Sequence, residues 1–351
     1  MSNSPAANSR LSKPVEASME SLAEIMGVSE RAGLRMHAGP VLKKMYQTAL
    51  SVALKHGGGR PVMVGMDRID LAQPISHMDL LRLEGCLLEV SGAVMVVKVL
   101  GAVKRYGERE FENSHIGYFS MVSLNARGGP QKGVPRLDYA SPEGQEAKVL
   151  SRHRLSQLEE RQQAFGWVDE QTRLLPEEVL EADPVPRYEK LRPQETEVRV
   201  KGQLFSQGVP DGRIRAGEML EWMDRVATYT ASQFTRNPHV ITISVNDLNF
   251  RRPLHADDHI ELIARVTYVR THTLEVNITP RVYHLSGEVV ELDPVDFLLL
   301  NHDASGLKRK IATGLNMDGA ETESLRKYLK AKSRYQFWKN HPESHLSQAP
   351  A

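Results

Sequence analysis

Asp224 is the residue in this sequence best placed to do chemistry, because it sits between apolar groups in Trp222-Met223-Asp224-Arg225. A carboxylate next to two large apolar side chains is easily desolvated, and a desolvated carboxylate can take a proton from water. The stretch around it, RIRAGEMLEWMDRVATYTASQF, carries Met219, Leu220, Met223, Val226, Ala227 and Thr230 at helical offsets, so it predicts a helix buried along one face. A turn at Arg236-Asn237-Pro238 follows, and then HVITISVNDLNFRRPL, whose β-branched run ends at Arg-Arg-Pro and predicts a strand. Taken alone, an Asp among apolar helical residues is more often a salt-bridged or surface-leaning acid.

The elements around this helix occur twice. Gly39 to Tyr46 lies over Gly217 to Asp224 at an offset of 178, Met66 to Leu71 lies over Val245 to Phe250, and Pro74 lies over Pro253. LRLEGCLLEVSGAVMVVKVLGAVK then lies over IELIARVTYVRTHTLEVNITPRVY, and YFSMVSLNARG over DFLLLNHDASG. This is an internal repeat. Each copy predicts one helix followed by strands, at Leu80–Val90, Ala93–Tyr106 and His115–Asn125 in the first and His259–Tyr268, Thr273–Tyr283 and Val295–His302 in the second. A helix with one apolar stripe buries it against a sheet, so the class is α+β with antiparallel sheets.

The helix, the Met223-Asp224 pair and the strand ITISVNDLNFRRP together resemble acyl-CoA thioesterases of the brain acyl-CoA hydrolase type. That group opens its helix with Gly, here Gly217, and carries a strand of the form V-T-A-S-V-D-x-I-x-F-x-x-P. The resemblance implies two tandem hotdog domains, each a long helix wrapped by an antiparallel sheet. It implies hydrolysis of fatty acyl-CoA to free fatty acid and coenzyme A, with coenzyme A as part of the substrate and no separate cofactor. In such two-unit proteins the pocket lies between the units. Asp224 would then be opposed by the start of the first helix, Arg35-Met36-His37-Ala38-Gly39, whose backbone N–H groups around Gly39 suit an oxyanion. His37 matches the family's histidine. The family's Asn before the glycine is absent from both copies, which leaves open a degenerate hotdog that binds an acyl carrier without turnover. Tyr46 and Gln47 occupy the acid's place in the first helix, and neither is a base near neutral pH. The second, pseudo-symmetric site is expected to be dead.

Several readings are excluded by the rest of the chain. At 351 residues there is room for two domains, and a net charge of +1 makes no case for nucleic acid as a partner. No apolar run approaches a transmembrane span, and the 13 histidines show no metal spacing. The lone Cys86, in a predicted strand, cannot form an internal disulfide, so a cytoplasmic location is expected. No G-x-S-x-G is present, and Gly57-Gly58-Gly59 lacks a P-loop ending. Arg251, Arg252, Lys308 and Arg309 could hold coenzyme A phosphates, with Arg35 as a further anchor, or could be solvated loop charge. Trp222, Met219 and Met223 recur at core spacing.

The expected organisation is a disordered tail over 1–18, hotdog domains over 19–140 and 194–320, and a helical, Pro-rich linker over 141–193. A basic helix and tail over 321–351 complete it. A short helix is expected from Met19 to Met26. The linker helix could pack on the back of a sheet, but a charge-rich stretch of this type is usually a solvated face, and the run VMVVKVL reads as a surface needing cover. Together with the resemblance, that run implies a homo-oligomer, a trimer of fused chains.

Overall fold

The structure, a computed structural model, describes residues 12–27, 37–171, 174, 180, 185–204, 214–250 and 254–341. The first half comprises β1 (Ser12–Pro14), β2 (Glu20–Ile25), α1 (Ala38–Gly57), β3 (Arg60–Met66), β4 (Ile69–Leu71), β5 (Leu80–Ser91), β6 (Val94–Lys104), β7 (Glu112–Leu124), β8 (Arg136–Asp138) and α2 (Pro142–Phe165). The second comprises β9 (Glu189–Leu191), β10 (Val198–Gly202), α3 (Ala216–Thr235), β11 (Val240–Val245), β12 (Leu248–Asn249) and β13 (His259–Val269). It continues with β14 (Thr273–Tyr283), β15 (Val289–Glu291), β16 (Val295–Asn301), β17 (Thr313–Leu315) and α4 (Thr322–Asn340).

Both halves share one antiparallel sheet in the order β10-β13-β14-β16-β11-β4-β7-β6-β5-β2, with β3, β12 and β15 alongside. The halves join where Ile69 and Asp70 of β4 pair with Val245 and Ser244 of β11, and where Leu248 and Asn249 of β12 pair with Met66 and Gly65 of β3. These two junctions are each other's image under the repeat. The architecture is therefore α+β, two tandem hotdog units whose sheets wrap α1 and α3.

Apolar periodicity explains why the helices lie where they do. Leu42, Met45, Ala49, Val52 and Ala53 of α1 and Met219, Leu220, Met223, Ala227 and Ala231 of α3 are all fully buried. Facing them, Met95, Val97 and Val99 of β6 are also fully buried, at period 2 along the strand. Each Val, Leu or Met among them contributes on the order of 1.5–3 kcal/mol of hydrophobic stabilisation, and each Ala less.

The structure corrects several expectations. Residues 12–18 are not a disordered tail: β1 pairs in parallel with β8, and Val15 and Ser18 are buried. Met19 to Met26 is not a helix, because Glu20–Ile25 pairs along the edge of β5, an arrangement its local sequence does not demand. Its image is β10 on β13: Val198 follows Glu20 by 178 residues, so the repeat reaches further upstream than Gly39. The linker helix α2 is not simply solvated, since Ala147 and Leu150 pack into the main core against the outer side of the first sheet. Within the run VMVVKVL, Met95, Val97 and Val99 on one face and Val96 and Lys98 on the other are buried within one chain, and only Val94 at its start is exposed, which weakens the run as a ground for a trimer.

The basic helix α4 likewise packs on the outer face of the second sheet, with Leu325, Leu329 and Phe337 buried. Much of its charge is turned inward. Lys327 donates to Asn277 Oδ1 at 2.9 Å, and Arg334, itself buried, pairs with Glu275 and with Asp296 at 3.0 Å. Burial pushes the Glu275 carboxyl up, and Arg334 opposes that rise. Arg334→Met would leave the buried Glu275 carboxylate, with half-buried Asp296 beside it, without its cation, at a cost of about 3–5 kcal/mol. The expected result is a lowered urea midpoint at neutral pH. With its pKa raised by burial, the Glu275 carboxylate can protonate as the pH falls, so the loss should shrink toward acid. A midpoint unchanged at neutral pH would show that the cluster is already solvated.

Candidate active site

Across the contact between α1 and α3, each helix presents a glycine to the other. A Cβ on Gly39 would come within 3.1 Å of the Glu221 backbone, and one on Gly217 would come 2.8 Å from Tyr46 Cδ1. The helix starts therefore lie against the middle of the facing helix, and this brings Asp224 to the N-terminus of α1.

Asp224 is fully buried. Its Oδ2 accepts from the Gly39 N–H at 2.7 Å and its Oδ1 from the Thr242 hydroxyl at 2.6 Å. Burial raises its carboxyl pKa, and the opposing influences are, in order, the Thr242 hydrogen bond, the Gly39 hydrogen bond and the charge of nearby His37. Two oxygens with about four lone-pair sites accept two protein hydrogen bonds, so the carboxylate keeps acceptor capacity. The positive end of α1 favours its ionised form.

A cavity of about 190 Å³ opens beside this carboxylate. Its apolar lining includes Val41, Leu71, Ile75, Ile241, Ile243 and Leu300, and its polar lining is His37, Gln73, Thr242, His115 and Lys308. The structure thus brings Asp224 and Gly39 together just behind the lining, where Asp224 is bonded to the lining residue Thr242 and Gly39 follows the lining residues His37 and Ala38. Exposed Lys308 also lies on its wall. Arg309 is exposed and is not part of the lining, while Arg35, Arg251 and Arg252 lie outside the described residues. Among the described residues, no group of three or more His, Cys, Asp or Glu side chains could hold a metal.

Two residues of the site were not singled out in the sequence. Thr242 stands in ITISV, where a β-branched residue reads as ordinary strand. His115 begins a predicted strand, and in the structure it is 1% exposed, with burial pushing its imidazole down to about 4.

At the pseudo-symmetric position Tyr46 replaces Asp224. Burial, followed by the charge of Glu218, pushes its phenol up to about 12, and the phenol faces the Ala216 N–H at the start of α3. Under the repeat, Met63 falls where Thr242 stands. This half keeps the shape of the helix contact and has neither the carboxylate nor the hydroxyl.

These features define a hotdog-fold protein with a cavity at the junction of its two units. Residues 212–286, spanning α3 and the strands after it, match the family model of the thioesterase superfamily. Solved structures similar to the chain include the acyl-CoA hydrolase from Staphylococcus aureus in complex with butyryl coenzyme A, coenzyme A and coenzyme A disulfide, at 19% identity over 46% of this chain and 95% of that one, TM-score 0.39. An acyl-CoA hydrolase from Agrobacterium tumefaciens is 16% identical over 86% of this chain and 100% of that one, TM-score 0.30. An acyl-ACP thioesterase from Bacteroides thetaiotaomicron is 10% identical over 81% and 98%, TM-score 0.46. No curated protein matches the sequence significantly.

Proposed function

We propose that the chain hydrolyses acyl-CoA thioesters at the cavity beside Asp224, as a two-unit thioesterase of the brain acyl-CoA hydrolase type. The observation that carries this reading is the buried carboxylate held by a helix N–H from the other unit and by the Thr242 hydroxyl, next to a mostly apolar cavity. Asp224 takes a proton from a water as its oxygen bonds to the thioester carbon, and negative charge moves onto the carbonyl oxygen. The Gly39 N–H is engaged by Asp224, so the oxyanion falls instead to the other groups at the start of α1. These are the Ala38 N–H and the His37 side chain, both at residues lining the cavity. The carbon–sulfur bond then breaks, and the departing thiolate takes the proton back from Asp224. Lys308 on the cavity wall and Arg309 nearby are the cations offered to coenzyme A phosphates.

The test is release of free thiol from acyl-CoA by the full chain. Turnover is expected, and Tyr46→Phe or Gln47→Ala should leave it within a few-fold, because the first helix supplies no base. Loss in either variant comparable to that of Asp224→Asn would move the chemistry to the other half. Saturable binding of acyl-CoA without thiol release would leave a carrier-binding hotdog in place of an enzyme.

A further inference from the structure

His115 has no part in the reaction just described, yet it is among the most buried polar groups of the chain. It sits on β7 opposite Gly101 and Leu71, on the side of the sheet that faces the cavity. Neither Nδ1 nor Nε2 meets a hydrogen-bond partner. The adjacent Ser114 carbonyl, which accepts from the Ala72 N–H at 2.8 Å, lies near enough to the ring to oppose the effect of burial on its pKa but outside hydrogen-bond geometry. A buried polar atom left unpaired is costly, and buried polar groups nearly always have a partner. Here two such nitrogens lie on one ring in the wall of the cavity.

The position is informative. Thr242 is on β11 and His115 on β7, with β4 between them. Two strand spacings put them about 10 Å apart at the backbone. The ring therefore meets a substrate several atoms out from the reacting carbonyl. Size limits the substrate further. A cavity of about 150 Å³ holds a benzene-sized molecule, so one of about 190 Å³ suits a short acyl group.

Resting on the reading of this cavity as the acyl pocket, we propose that His115 is a specificity-determining residue, and that the preferred substrate is a short acyl thioester carrying a neutral distal oxygen, hydroxyl or keto, which hydrogen-bonds to the imidazole. Burial keeps the ring neutral near pH 7, so it offers one donor and one acceptor and does not attract a second carboxylate. A distal hydroxyl or carbonyl can reproduce the hydrogen bonds of any water on the ring as it displaces that water. A plain methylene cannot, and it leaves the ring unpaired. Sites built to hydrogen-bond a substrate group discriminate against analogues that lack it far more strongly than apolar pockets discriminate by size.

The experiment compares hexanoyl-CoA with its 5-oxo and 6-hydroxy derivatives for thiol release. In parallel, it compares the non-hydrolysable thioethers S-hexyl-CoA and S-(6-hydroxyhexyl)-CoA for binding by calorimetry, using the full chain. The expected result is a preference of about tenfold or more for an oxygenated member in both assays. His115→Leu should reverse the order, favouring the plain chain, and His115→Gln should keep part of the preference. Equal binding of the two thioethers by the unaltered protein, or a preference untouched in His115→Leu, overturns the proposal. The wild-type comparison stands even if a variant fails to fold. Brisk hydrolysis with no preference sinks this inference alone. A binding preference without thiol release supports it and sinks only the hydrolase reading, and binding of neither thioether overturns both.

Discussion

Asp224→Asn should lower thiol release by about 10²–10⁴-fold, the range expected when a positioned general base is removed, while leaving the fold at least as stable as before. The amide is isosteric. Its oxygen can still accept from the Gly39 N–H, and its nitrogen can donate to Thr242 Oγ1, but it cannot take a proton from water. The stability half follows from linkage. Burial raises the folded-state pKa of Asp224 above its unfolded value, so the folded chain holds this proton more tightly than the unfolded one. Stability then falls as pH rises from the unfolded pKa to the folded one, and the penalty is complete above that window. The asparagine variant carries no such penalty, and at neutral pH its melting temperature should match or exceed that of the unaltered chain. Thiol release within a few-fold of normal, with the fold intact by circular dichroism, would take Asp224 out of the mechanism.

The doubled fold explains how one half can lack this chemistry without structural loss. What α1 and α3 require of each other is close approach at Gly39 and Gly217 and a polar tip set against the facing helix start. A carboxylate at 224 meets that need by accepting from the Gly39 N–H, and a phenol at 46 sets its tip facing the Ala216 N–H. Only the first adds a base. Packing acts on both positions, whereas in the proposed reaction chemistry acts on one, so the two copies differ at these residues while both keep their glycines.

Much of this arrangement was legible in the sequence because it is written in periodicity and repetition. The helices around Met45 and Met223 show a 3.6-residue apolar stripe, and the 178-residue offset sets their glycines in register. Other parts depend on neighbours far along the chain. ESLAEI becomes β2 only because β5 offers it an edge, and its mixed polarity signals neither helix nor strand. The helices α2 and α4 carry only a few buried apolar positions among many charges, Ala147 and Leu150 in one and Leu325, Leu329 and Phe337 in the other. Their composition suggests solvent on every side, and the sheets they cover lie elsewhere in the sequence. Thr242 and His115 were hidden for a different reason. Each is an unremarked residue in a strand, and its significance comes from a partner or a cavity assembled by separate strands. Arg35, Arg251 and Arg252 lie outside the described residues, so the cations that can be placed relative to the cavity are Lys308, on its wall, and Arg309, next to it in sequence.

Thr242→Val is the variant that separates the two things the hydroxyl can do. Valine keeps the β-branched shape in β11 and removes the 2.6 Å hydrogen bond to Asp224 Oδ1. That bond is the largest influence holding the carboxyl pKa down against burial. A hydrogen bond to a charged group is worth about 1.5–3 kcal/mol, and its loss leaves burial less opposed, so the carboxyl pKa of Asp224 rises further. In the proposed reaction the carboxylate is the reacting form, so the rising limb of kcat/KM against pH should shift to higher pH, and the rate on the limb should fall by about 10- to 100-fold, the equivalent of that hydrogen bond. If the hydroxyl only tunes Asp224, the plateau at high pH is regained. If it also accepts a hydrogen bond from the attacking water, the plateau itself drops, and Thr242→Ser restores both limb and plateau. A profile that keeps its midpoint while losing height would assign Thr242 to the water alone. An unchanged profile would show that the hydrogen bond to Asp224 has no bearing on the reaction.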